Sequence, residues 1–147
     1  MIAPRHTRTE SALIIYTVAL IAIYGPLETW VSFPRLLSLF YLVDAIGLAL
    51  LLAGVLLYRA NARIPYTVVL AIGYGWLGAN FWRGMAMRLA ESYDPARWPE
   101  GKILAVGTTG VATGGAVLVG LCVVGMILSI LVARRDSRQL QSTEPTL

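Results

Sequence analysis

From Leu36 to Tyr58 the chain carries a single charged residue, Asp44, in an otherwise apolar run. A helix rises ~1.5 Å per residue, so ~20 apolar residues span ~30 Å of hydrocarbon. A run of this length and chemistry therefore constrains the fold more than any other feature. It is not alone. Apolar blocks occupy roughly Ser11–Trp30, Pro34–Tyr58, Ile64–Leu89 and Ile103–Ala133. Of all residues, 57% are hydrophobic and only 14% are charged, against ~25% charged in a soluble domain. The pattern predicts an all-α, integral membrane four-helix bundle. Its parts are a polar N-terminal tail (1–10), one transmembrane domain (11–133) and a polar, disordered C-terminal tail (134–147).

The first block has a core, Ala12–Tyr24, as short as the apolar region of a signal peptide. Gly25-Pro26-Leu27-Glu28-Thr29-Trp30 is a poor small-residue cleavage site, and three more blocks follow. The reading is a retained first helix. Gly25-Pro26 is expected to kink or end it.

Four spans place both termini on one side. The N-terminal tail, the 2–3 connection and the C-terminal tail hold seven basic residues: Arg5, Arg8, Arg59, Arg63, Arg134, Arg135 and Arg138. The other side holds five: Arg35, Arg83, Arg88, Arg97 and Lys102, mixed with acids. The positive-inside rule then predicts cytoplasmic termini, in a plasma or bacterial inner membrane. The net charge of +4 follows from this distribution and does not point to nucleic acid.

The single cysteine, Cys122, forms no disulfide within the chain, and the single histidine, His6, lies in the N-terminal tail. Those counts exclude a bis-histidine haem within the bundle and a His/Cys zinc site within one chain. No cofactor and no metal are expected. Gly73-Tyr74-Gly75-Trp76-Leu77-Gly78 superficially matches a nucleotide-binding glycine loop. It has no preceding strand and falls inside an apolar block, so close helix packing is the better reading.

Helices in lipid associate through close packing and interhelical hydrogen bonds. Small residues mark the expected contact faces. Gly110 and Gly114 form a GxxxG pair in the fourth block. Ala71, Gly75 and Ala79 recur every four residues in the third, with Arg83 as the next member. Gly47 and Gly54 lie seven apart in the second. At helical spacing, Asp44 shares its face with Leu37, Tyr41, Gly47, Leu51 and Gly54. It therefore points into the bundle. A charged side chain near mid-membrane costs ~2.5–3.5 kcal/mol on insertion scales. The carboxyl group is thus either neutral by protonation or partnered. Asn80 and Arg83 are the candidate partners. Glu28, on the face of Thr17 and Tyr24, completes a possible polar site of Asp44, Arg83, Asn80 and Glu28.

Three functional classes fit. The first is a non-enzymatic accessory or interaction subunit of a membrane complex, docking through the glycine-rich fourth helix. Its partners would be the lipid bilayer and either another protein or copies of itself. The second is an oligomeric small-molecule or ion-coupled transporter using Asp44. The third is a membrane-embedded enzyme, or a binding protein for a lipid-like ligand, with Glu28, Asp44 and Arg83 at the site. No nucleophile–base pair or metal cluster supports catalysis, so the first class leads and the expectation leans away from an enzyme.

Overall fold

The computed structural model describes residues 7–32, 39–60, 65–90 and 107–142. They form four helices: α1 (Arg8–Ser32), α2 (Leu39–Arg59), α3 (Tyr66–Ala90) and α4 (Gly107–Ser142). Each begins or ends where the local chemistry allows. Thr7 caps α1: its Oγ1 accepts from the Glu10 N–H at 3.3 Å, and the Glu10 carboxylate accepts from the Thr7 N–H at 2.6 Å. This reciprocal pair satisfies two backbone donors that a helix start leaves open. At the start of α3 the Val68 N–H donates to the Pro65 carbonyl at 3.0 Å.

Helix α1 runs through Pro26 to Ser32, covering the expected span to Trp30, so Gly25-Pro26 does not end it. Proline removes one backbone donor, a loss that transmembrane helices tolerate when neighbouring groups compensate. Helix α4 continues past Ala133 to Ser142, through residues assigned above to a disordered tail. Arg134-Arg135-Asp136-Ser137-Arg138-Gln139-Leu140-Gln141 is polar, but it has no proline or glycine and contains good helix formers. Arg135 also donates to Thr9 Oγ1 at 2.8 Å, tying this extension to the start of α1.

Three helices have the length and apolarity of a membrane span, over Arg8–Leu27, Leu42–Arg59 and Ala112–Arg135. Helix α3 falls short because Asn80, Arg83, Arg88 and four glycines dilute its apolar residues.

Each helix neighbours the next in sequence, and α4 closes back on α1. Among the described residues, no Cα of α1 comes within 8 Å of α3, and none of α2 within 8 Å of α4. These are the diagonals of a four-helix ring. Helix α3 is clasped between α2 and α4, with glycines at the closest points. A Cβ on Gly47 would lie 2.5 Å from Leu77 Cγ, and one on Gly54 2.5 Å from Leu70 Cδ2. On α3, a Cβ on Gly73 would meet Leu51 Cδ2 at 2.9 Å. Glycine costs ~0.5–1 kcal/mol in a helix interior. Here the missing Cβ lets the backbones approach closely enough to bury leucines, the means by which helices associate in lipid.

The other wall, α1, reaches α3 across the ring through long side chains. Leu13, Leu20, Tyr24, Leu51, Leu70, Tyr74, Leu77, Phe81, Cys122 and Val132 form the buried cluster. Outside, the large aliphatics are exposed on every helix: Ile15 and Ile23 on α1, Leu52 and Leu56 on α2, Ile72 on α3, and Val117 and Ile127 on α4. Polar groups face the inside: Thr17, Asp44, Thr67 and Ser129 are buried.

Candidate functional site

Asp44 is the one buried carboxylate among the described residues, at 6% exposure. It sits on α2 one turn before Gly47, where the close approach of α3 brings Asn80 alongside. Asn80 Nδ2 donates to Oδ1 of Asp44. From α1, the Tyr24 hydroxyl donates to Oδ2 at 3.1 Å. The Tyr24 ring is itself held edge-on against Phe81 of α3, with centroids 4.8 Å apart. One residue earlier on α2, the Val43 carbonyl accepts from Trp76 Nε1 at 2.8 Å. Asp44 thus joins three helices at one point, and α2 and α3 are stitched together on both sides of it.

A second polar layer lies about two helical turns along α1. Thr17 Oγ1 donates to the Leu13 carbonyl at 2.8 Å and lies 2.8 Å from the Tyr74 hydroxyl. The Tyr74 ring fills the space above Gly125 of α4. Its neighbour Tyr16 donates to the Leu121 carbonyl at 2.6 Å, with the two rings 6.1 Å apart. The hydroxyls of Tyr16, Thr17 and Tyr74 in this layer each have a partner, as burial demands. A third layer closes the end that carries both termini. There Tyr66 donates to Glu10 Oε1 at 2.9 Å and packs edge-on against Tyr58 at 5.1 Å.

The proposed polar set is only partly assembled. Asp44 and Asn80 meet. Arg83 is exposed and makes no hydrogen bond or ion pair with the described residues. Glu28 belongs to α1 and Tyr41 to α2, but their side chains lie outside the described residues, as do the surroundings of Gly110 and the whole of Leu37. Tyr24 is the partner that the sequence reading did not choose. Its signal was present: Thr17 and Tyr24 stand seven apart on one face of an otherwise apolar helix.

The glycines divide into two kinds. Gly47, Gly54, Gly73 and Gly125 each have a neighbouring side chain where a Cβ would stand. Gly75 does not pack closely; its nearest neighbour is Met126 Sδ at 3.9 Å. Gly114 and Gly120 face open space, with nothing within 4 Å among the described residues. Thr113, Ala116 and Val117 are exposed beside them.

Chemically, a carboxylate that accepts from a phenol of one helix and an amide of another can tie the helices together. No protein-family model, no curated protein and no solved structure matches the chain.

Proposed function

We propose that the chain is an integral membrane protein that works as a non-enzymatic interaction subunit, docking through the outer face of α4 onto a helix of a partner protein or of a second copy. The observation that carries this reading is the contrast between its glycines. At Gly47, Gly54, Gly73 and Gly125 a neighbouring side chain fills the space of the missing Cβ. Gly114 and Gly120 have the same helical cost and no neighbour. Thr113, Gly114, Ala116 and Gly120 leave a shallow, small-residue surface on which another helix can approach closely, and the Gly110/Gly114 spacing matches the GxxxG pattern.

The inside-out distribution supports a bilayer setting: Thr17, Asp44 and Ser129 are hydrogen-bonded within, and bare aliphatics lie outside. In this setting α3 crosses with the others because α2 and α4 clasp it, and both termini face the cytoplasm of a plasma or bacterial inner membrane. Asp44 serves assembly of the bundle, since donors from both α1 and α3 reach it.

Native mass spectrometry of the gently extracted protein tests the reading. A stoichiometric companion, another membrane protein or a second copy, is expected for the wild type and for Asp44→Asn. It is expected to be lost in Gly114→Leu. A companion retained by Gly114→Leu refutes docking through α4. The competing reading, a transporter coupled through Asp44, requires coupled flux that Asp44→Asn abolishes.

A further inference from the structure

Between them, α3 and α4 leave a groove of about 600 Å³ near the end that carries both termini. Its walls are Val68, Ala71 and Ile72 from α3 and Ile130 and Ala133 from α4. Polar groups occur at one end and on the floor: Arg134, Thr67 and Ser129. The two adjacent arginines of α4 have diverged. Arg135 reaches across to Thr9 of α1. Arg134 lines the groove, is exposed, and has no hydrogen bond or ion pair with the described residues.

We propose that this groove holds one anionic diacyl phospholipid, with an acyl chain along Ala71, Ile72 and Ile130 and the headgroup phosphate on Arg134. The volume lies within the ~300–1,000 Å³ range of small-molecule sites. The apolar walls suit a chain and would exclude a free polar anion. An arginine fork matches phosphate geometry with two parallel donors. Basic pockets between transmembrane helices are where anionic headgroups bind, and the cytoplasmic leaflet supplies such lipids. A zwitterionic lipid brings its own cation to the phosphate and so competes with Arg134. Arg59, exposed at the end of α2 and likewise making no hydrogen bond or ion pair with the described residues, lines no part of this groove and serves as the matched control.

The test uses the full chain in nanodiscs of equal phosphatidylglycerol and phosphatidylcholine, released into native mass spectrometry. One retained phosphatidylglycerol per chain is expected, with little phosphatidylcholine. Arg134→Gln is expected to lower its retention roughly tenfold, the loss of one charge-assisted contact. Arg59→Gln should leave retention unchanged. Ala71→Phe fills the groove without touching the charge and should also expel the lipid. Circular dichroism on each variant reports that the helices persist. Equal retention by Arg134→Gln and wild type overturns the proposal. So does a loss in Arg59→Gln equal to that in Arg134→Gln, equal retention of the two lipids by the wild type, or full retention by Ala71→Phe.

Discussion

Gly125→Ala adds one carbon at the place where α4 touches the Tyr74 ring. The new Cβ would stand 2.7 Å from Tyr74 Cδ1 and closer still to Cε1 and Cζ. Ordinary contact begins near 3.4 Å, so the ring must retreat by at least about 0.7 Å. It has little freedom to do so. Tyr74 is fully buried, its hydroxyl is 2.8 Å from Thr17, and Tyr16 packs beside it. Overpacking a filled core costs about 1–3 kcal/mol. Losing the Thr17–Tyr74 bond inside the bundle adds about 1 kcal/mol, near the typical worth of an interhelical hydrogen bond in a membrane. Alanine returns about 0.5–1 kcal/mol of helix propensity. The net expectation is a destabilisation of about 2 kcal/mol. The assay is reversible unfolding of the monomer in mixed micelles, followed by circular dichroism. Gly114→Ala and Gly120→Ala are the internal controls. With nothing within 4 Å of either, each should be neutral or slightly stabilising. Wild-type stability in Gly125→Ala, or equal damage from all three substitutions, would refute the packing argument.

Other perturbations follow from the same contacts. Asp44→Ala strands the Tyr24 hydroxyl and the Asn80 amide together and is expected to cost about 2 kcal/mol in that assay, whereas Asp44→Asn keeps an acceptor and should cost under about 1 kcal/mol; equal losses would show that the charge, not the acceptor, matters. A double-mutant cycle of Tyr24→Phe with Asp44→Ala should show coupling of about 0.5–1.5 kcal/mol, and strict additivity would mean the bond contributes nothing. Thr7→Ala removes the cap of α1 and should cost about 1 kcal/mol, read as faster amide exchange in the first turn of α1; unchanged exchange would contradict the capping role.

The apolar blocks of α1, α2 and α4 were legible because hydropathy over ~20 residues reports burial in lipid directly. The inward face of α2 was legible too, since Asp44, Gly47, Leu51 and Gly54 keep helical spacing and all are buried. Helix α3 was harder. The Ala71–Gly75–Ala79–Arg83 series steps by four residues, and each step overshoots a 3.6-residue turn by ~40°. After three steps the series has rotated by ~120°, which carries Arg83 out to the exposed side. The buried face instead alternates steps of three and four through Leu70, Tyr74, Leu77 and Phe81. The continuation of α4 to Ser142 escaped because a polar sequence was equated with disorder, although its residues favour helix. Tyr24 escaped because the packing of α1 beside α2 brings its hydroxyl to Asp44, and periodicity within one helix carries no record of which residues a neighbouring helix presents to it.

Outward-facing Val117, between Gly114 and Gly120, is the position that tests the interaction reading most directly. A photo-crosslinking residue in its place, activated in native membranes, is predicted to capture one discrete protein, identified by mass spectrometry as a partner helix or as a second copy. The same probe at Ile23, exposed on α1, should capture lipid alone. Capture of lipid alone at Val117, or the same protein captured equally at Ile23, would contradict docking through the outer face of α4.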